Sequence, residues 1–263
     1  MRLLFIGDIV GQPGRKAVRQ LLPDLIRSEG VTCVVANAEN AAGGSGITGP
    51  IAHELKGYGI SILTSGDHIW KKKEAIELLK DDKYVLRPLN YPDGVPGNGS
   101  AVLELAAGVK IGVVNLVGRV FMQAVECPFR TCRKEIDKIR QITPNIFVDI
   151  HAEATSEKIA LGWYLDGLVT ALVGTHTHVQ TADERILPEN TAYITDVGMT
   201  GPFDSVIGRR KEQILSRFVT QMPVKFQMAE SDVRLDAVVI DFDEKKGKAR
   251  SIKRIEQKLD EPT

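Results

Sequence analysis

The chain has 263 residues, 43% of them hydrophobic and 26% charged, which suits a folded globular unit and excludes disordered and fibrous classes. Its 34 basic side chains balance 34 acidic ones, so no global positive field draws in duplex nucleic acid or an anionic membrane, and an anionic ligand must be caught locally. No apolar run approaches the roughly 18 residues that a spanning helix needs.

The first eight residues offer only four consecutive apolar side chains before Gly7 and Asp8, too few for a signal-peptide core, so a cytoplasmic location is expected. Cys33, Cys127 and Cys132 are odd in number and lack CxxC spacing, which points to core or incidental thiols and not to a disulfide framework or zinc knuckle. The length, with no internal repeat and no linker, predicts one domain over residues 1–263.

In chain order, short apolar runs alternate with helical repeats. Residues 3–6 predict a strand. Residues 13–29 predict a helix, with Ala17, Val18, Leu21, Leu22, Leu25 and Ile26 at helical spacing, Pro13 in the first turn and Pro23 expected to kink or restart it. Strands at 33–38 and 60–64 enclose a helix capped by Thr48 and ending at Tyr58, and a helix at 72–80 follows. The Pro- and Gly-rich stretch 91–100 reads as a join between two sheets. Strands at 113–116, 146–150 and 169–173 then alternate with helices at 129–141 and 156–165, and a last helix is predicted at 209–218. Residues 233–242 and 249–257, joined by a polar turn containing Gly247, predict a C-terminal β-hairpin. The whole pattern predicts an α/β fold with some antiparallel pairing late in the chain.

Five predicted strands end in polar residues, at the positions where α/β folds build sites: Asp8, then Glu39-Asn40, then Gly66-Asp67-His68, then His151, then Gly174-Thr175-His176-Thr177-His178. Four of the five histidines fall in these segments. Carboxylate oxygen and neutral imidazole nitrogen suit Fe, Mn, Zn or Ni, and a carboxylate can bridge two ions. His176 and His178 are two apart, so an extended backbone would send both rings to the same side. Asp8, Glu39, Asn40, Asp67, His151, His176 and His178 make seven candidate ligands, more than the three or so protein ligands of one catalytic zinc, and so point to two ions. Singly, Asp8 also reads as a turn or cap, His151 as a hydrogen-bonded core histidine and the His-x-His pair as coincidence. Their joint placement favours metal. His53 lies inside a predicted helix and is given no role. The glycines at 43, 44 and 46 lack the Lys-Ser/Thr of a P-loop and read as a loop that lets backbone approach the site. Lys71, Lys72 and Lys73 read either as a solvated face or as a phosphate contact.

These strand-end segments, together with Asn115-Leu116-Val117-Gly118-Arg119-Val120-Phe121-Met122 and the stretch from Thr195 to Pro202, resemble the calcineurin-like metallophosphoesterases, and more closely their bacterial YmdB-type branch, across essentially the whole chain. The resemblance implies layered sheets flanked by helices, an αββα sandwich. It assigns Asp8, Glu39, Asn40 and His178 to one metal, Glu39, Asp67, His151 and His176 to the other, and His68 as the catalytic non-ligand histidine. It also implies iron or manganese, with zinc compatible, and 2',3'-cyclic nucleotide phosphodiesterase activity. One departure stands out: the family motif is Gly-Asn-His, whereas this chain has Gly66-Asp67-His68, so a neutral ligand becomes an anion.

The mechanism so implied is attack by a metal-bridging hydroxide with His68 as general acid. Asp149, Glu153 and Asp196 are candidates for orienting ligating imidazoles or for ordinary capping and ion-pair roles, and Arg119 for phosphate contact or a structural ion pair. The rival functions are a phosphomonoesterase on the same centre, a metal-containing regulatory or RNA-associated binding protein, and a soluble α/β domain whose polar residues satisfy one another without metal. The expected partner is a small phosphodiester, with no membrane and no stable duplex nucleic acid; homo-oligomerisation is left open by the sequence.

Overall fold

The structure, a computed structural model, describes residues 1–260, so the last three residues of the expected 1–263 unit lie outside the described residues. The chain begins with β1 (Arg2–Ile6), β2 (Asp8–Ile9), α1 (Gly11–Glu29), β3 (Cys33–Asn37), α2 (Gly49–Gly57), β4 (Ile62–Thr64) and α3 (Ala75–Asp81). It continues through β5 (Ser100–Glu104), β6 (Lys110–Val117), α4 (Pro128–Ile139), β7 (Ile146–His151), α5 (Thr155–Leu165) and β8 (Ala171–Thr175). Then come β9 (Arg185–Ile186), β10 (Ala192–Ile194), β11 (Met199–Pro202), α6 (Lys211–Thr220), β12 (Val233–Asp243) and β13 (Lys248–Lys258).

The strands form two sheets. One runs β2-β11-β12-β1-β3-β4, with β13 on the free edge of β12; the other runs β5-β6-β7-β8-β10-β9. The predicted C-terminal hairpin is β12 and β13, paired antiparallel. β12 also pairs antiparallel with β1, so the hairpin completes the first sheet next to the N-terminal strand. The stretch 91–100 does lead from one sheet to the other, between β4 and β5.

Alternation along each strand explains the layering, because successive side chains leave opposite faces. Leu4, Ile6, Val34 and Ala36 pack outward on α1 and α2 through Val18, Leu22 and Leu55. Their neighbours Leu3, Phe5, Cys33 and Val35 point inward and meet Val113, Phe147 and Val173 of the second sheet. Val114, Leu116, Val148 and Ile150 pack outward on Cys132 and Ile136 of α4 and Leu161 of α5. The result is helix, sheet, sheet, helix, the αββα order that the resemblance implied.

Some local expectations need correction. The helix holding Pro23 neither stops nor restarts there but runs from Gly11 to Glu29. Pro23 and Arg19 both lie on the exposed side of the helix, where solvent can replace the intrahelical donor that the Arg19 carbonyl loses. The helix expected at 72–80 is shorter, and a 3-10 turn over Asp67–Lys71 precedes it. β2, β5, β9, β10 and β11 were not anticipated; all five have five or fewer residues, and β2 pairs with β11 about 190 positions away along the chain.

Candidate metal centre

The inward faces of the two sheets are apolar for most of their length and turn polar at the C-terminal strand ends. On β3 the inward series Cys33, Val35 continues to Asn37, and on β4 Ile62 is followed by Thr64. On β7 the inward series runs from Phe147 to Asp149 and His151, and on β8 from Ala171 and Val173 to Thr175. These groups satisfy one another across the gap between the sheets. Asp149 accepts from the Thr64 hydroxyl at 2.6 Å, the Asn37 amide at 3.1 Å and the Thr175 hydroxyl at 2.8 Å. The Thr175 oxygen lies 2.9 Å from His151 Nδ1, so with its own proton on Asp149 it accepts the imidazole N–H and leaves Nε2 as the free donor atom.

His151 Nε2 faces the loops that follow the strands. It lies 3.2 Å from Glu39 Oε1, 3.5 Å from Asp67 Oδ1 and 2.9 Å from His176 Nδ1. One ligand atom from each of Glu39, Asp67, His151 and His176 falls within 4.8 Å of the others, and these are the four residues grouped on one ion by the resemblance. The remaining three sequence-predicted donors adjoin them. His178 Nε2 is 3.2 Å from the Asn40 amide nitrogen and 4.0 Å from Asp8 Oδ1, and the same Asn40 nitrogen is 3.1 Å from Glu39 Oε1. Asn40 turns its carbonyl oxygen to His68 Nδ1 at 3.0 Å; a half-turn of the amide would present that oxygen on the His178 side. Gly66 makes the close approach possible, since a Cβ there would lie 2.1 Å from His151 Cδ2 and 2.3 Å from Glu39 Oε2.

The two strand-end histidines converge, but not through extended backbone. β8 ends at Thr175, and His176 and His178 adopt positive φ of 102° and 64°. Strain of this kind persists only where surroundings fix it. Here Asp8 Oδ2 accepts the His176 amide at 3.0 Å, and Asp196 Oδ2 accepts both the amide and the hydroxyl of Thr177. Asp196 in turn receives the Lys158 ammonium at 2.7 Å, both side chains fully buried. His178 Nδ1 donates to the Ile207 carbonyl at 3.2 Å, which fixes its tautomer and frees Nε2. Of the suspected orienting residues, Asp149 acts through Thr175, Glu153 sits 3.1 Å from His176 Nε2, and Asp196 holds the turn between the histidines. Asn37, Thr64, Thr175 and Lys158 were missed; the period-2 continuation of the inward faces was the available signal for the first three.

Charge is unbalanced in this cluster. Burial lifts the Asp8 carboxyl to about 7, helped by Glu39 and opposed by His151. Burial also opposes ionisation of Glu39, but His151 and His68 hold it well below the usual carboxylate range. The reverse holds for His151: burial disfavours its charge, yet Glu39 and Asp67 keep it well above the ordinary imidazole value. Burial and repulsion from His151 bring His176 down to about 4. The carboxyl groups of Asp8, Glu39 and Asp67 thus crowd around the His151 ring, and Asp8 Oδ1 and Asp67 Oδ1 are buried without a hydrogen-bond partner among the described residues. Orphaned anionic oxygens next to imidazole nitrogens whose tautomers are fixed by outer partners fit metal cations of the Fe, Mn or Zn type.

A cleft of about 300 Å³ opens over the cluster, lined by Glu39, Asn40, His68, His176 and His178 among others. Neither Arg119 nor the Lys71–73 run lines it; Arg119 is exposed, and its amide donates to Glu157. His53 is exposed on α2, away from the cluster.

A profile of the family described as YmdB-like protein matches residues 4–255. The 2',3'-cyclic-nucleotide 2'-phosphodiesterase of Bacillus subtilis is 49% identical over 255 residues, which cover 97% of this chain and 96% of that one. A phosphatase of known structure from Mycoplasma pneumoniae superposes with a TM-score of 0.93 at 34% identity, covering 100% of this chain and 95% of the other. The calcineurin-like phosphoesterase YfkN of Bacillus subtilis, 13% identical, superposes with a TM-score of 0.59 over 98% of this chain and 90% of its own, and shares the fold.

Proposed function

The chain belongs to the YmdB-like protein family, and from that membership together with its donor cluster we propose that it is a metal-dependent phosphodiesterase acting on 2',3'-cyclic nucleotides. The observation that carries this reading is the convergence of Glu39, Asp67, His151 and His176 beneath an open cleft, with Asp8, Asn40 and His178 beside them. Asp8, Glu39, Asn40 and His178 would hold one ion, and Glu39, Asp67, His151 and His176 a second. Iron or manganese is the proposed pair, with zinc compatible with the same oxygen and nitrogen donors. When bound, such ions supply Lewis acidity to the phosphoryl oxygens and lower the pKa of water.

The protein's own contribution is orientation and proton transfer. Thr175 and Ile207 fix the two imidazole tautomers described above. His68 stands at the cleft with Nδ1 turned to Asn40 and Glu39. Its Nε2 is left to hold a proton at the cleft and give it to the departing oxygen as the P–O bond breaks, water supplying the oxygen that replaces it. The cleft is small and the net charge is zero, which supports a small diester over a polymer. Three free cysteines suit a reducing compartment, and the cytoplasm is the proposed location of a single working unit over residues 1–263. No helix among the described residues is long and apolar enough to cross a membrane.

Elemental analysis of the purified protein, combined with turnover of a 2',3'-cyclic nucleotide panel and of matched phosphomonoesters, tests the reading. The expected result is stoichiometric metal, diester turnover above monoester turnover, and loss of rate in His68→Ala with metal retained. Monoester turnover alone would make the centre a phosphatase, the activity named for the Mycoplasma relative.

A further inference from the structure

The described cleft contains one cation that the ligand set does not use. Arg209 lines it together with His68 and His178, while the two basic features singled out in the sequence, Arg119 and Lys71–73, do not. The guanidinium is half-buried and no carboxylate lies within ion-pair distance among the described residues. Burial alone lowers its pKa from the ordinary arginine value, as expected of a desolvated cation without an anion beside it.

Its position is built. Nη2 donates to the Gly44 carbonyl at 2.7 Å, and Nη1 lies 3.2 Å from Met228 Sδ. Gly44 is at φ +83°, and a Cβ there would fall 2.7 Å from Arg209 Nη2 and 2.5 Å from Met228 Sδ. The absence of a side chain at 44 therefore makes the slot that the guanidinium occupies. A planar group with five N–H donors, of which Nη1 reaches the Gly43 carbonyl at 3.5 Å and Nη2 the Gly44 carbonyl, retains donors for an anionic partner. Neutral contacts hold the head in place, so its charge is left for whatever enters the cleft.

On the phosphodiesterase reading above, we infer that Arg209 is the substrate-anchoring cation of this site, bonding a phosphoryl oxygen of the diester that lies over the donor cluster. Truncating a hydrogen bond to a charged group removes roughly 10- to 100-fold in affinity, and here that loss should appear in KM. The test uses the metal-loaded full chain as wild type, Arg209→Ala, Arg209→Lys and Gly44→Ala, with metal content, melting temperature, steady-state turnover of a 2',3'-cyclic nucleotide and binding of inorganic phosphate all measured. Arg209→Ala is expected to keep its metal and melting temperature, to raise KM and the phosphate Kd by that factor, and to hold kcat within about threefold. Arg209→Lys should recover part of the loss because a point charge replaces the planar fork. Gly44→Ala should copy Arg209→Ala in KM by displacing the guanidinium.

Unchanged KM and phosphate Kd in Arg209→Ala would overturn the inference. Loss of metal or of folding in both Arg209 variants would also overturn it, making Arg209 a structural clasp for the glycine loop. A wild type that turns over no phosphodiester defeats the functional reading instead; phosphate binding that still depends on Arg209 would then uphold the anchor on its own.

Discussion

At the scale of single residues, Asp67 is the departure with the clearest consequence. Its Oδ1 is buried, unpartnered among the described residues, and faces His151 Nε2 and His176 Nδ1 at 3.5 and 3.8 Å. An anionic ligand there holds a cation more firmly than a neutral amide and partly offsets its field. Asp67→Asn should therefore release metal to a chelator more readily, by at least the roughly tenfold that loss of an outer partner costs, while turnover per bound metal at saturating metal rises. Competition with a metallochromic chelator and metal-saturated kinetics measure the two halves. Equal metal affinity and equal rate would show the extra charge to be without effect. The candidacy of Asp67 was legible in the sequence because Gly66-Asp67-His68 follows an apolar strand. Its surroundings were not, since Glu39 and His151 lie 28 and 84 positions away along the chain.

Elements set the histidine turn. α5 carries Lys158 and the segment after β10 carries Asp196, and their fully buried pair holds Thr177 between the two positive-φ histidines. Removing one partner of a buried ion pair leaves the other charged and unpaired, at a cost of about 3–5 kcal/mol. Lys158→Met is expected to lose stability on that scale in denaturant unfolding, and the Lys158→Met, Asp196→Asn double variant to lose less than the sum of the two single ones. Additive losses would show that the pair is not coupled. Strand spacing placed Thr175, His176 and His178 at a strand end but misjudged the backbone between them. Extended geometry and a left-handed turn both bring two rings together, and only the anchoring by Asp8 and Asp196 selects the turn.

For the whole molecule, the pH dependence of folding includes a buried acid outside the cluster. Asp236 of β12 is pushed up to about 8 by burial, with Glu256 adding repulsion. A carboxyl whose folded pKa is raised holds a proton that the unfolded chain has already released between about pH 4 and pH 8. Its effect is that stability falls as pH rises across that window and levels off above it. Asp236→Asn should flatten this decline, raising the melting temperature at pH 8 more than at pH 4. An unchanged slope from paired thermal melts of wild type and variant would show that Asp236 ionises freely in the fold.

The sequence by itself determined the six helices, the longer buried strands and the C-terminal hairpin, because apolar periodicity follows directly from which faces are buried, and it marked seven donors because polar residues break that periodicity at strand ends; the short strands β2, β5, β9, β10 and β11 escaped it. It could not determine which strand ends share one cleft. Glu39 belongs to the first sheet and His151 to the second, and they meet only because the inward faces of the two sheets pack on Leu3, Phe5, Val113 and Phe147. The same packing forces the polar ends of those faces, Asn37, Thr64, Asp149 and Thr175, to satisfy one another out of water and so to orient the metal-facing imidazole. Burial in the assembled fold, and not any local pattern, also decided that Arg209 and not Arg119 stands over the centre.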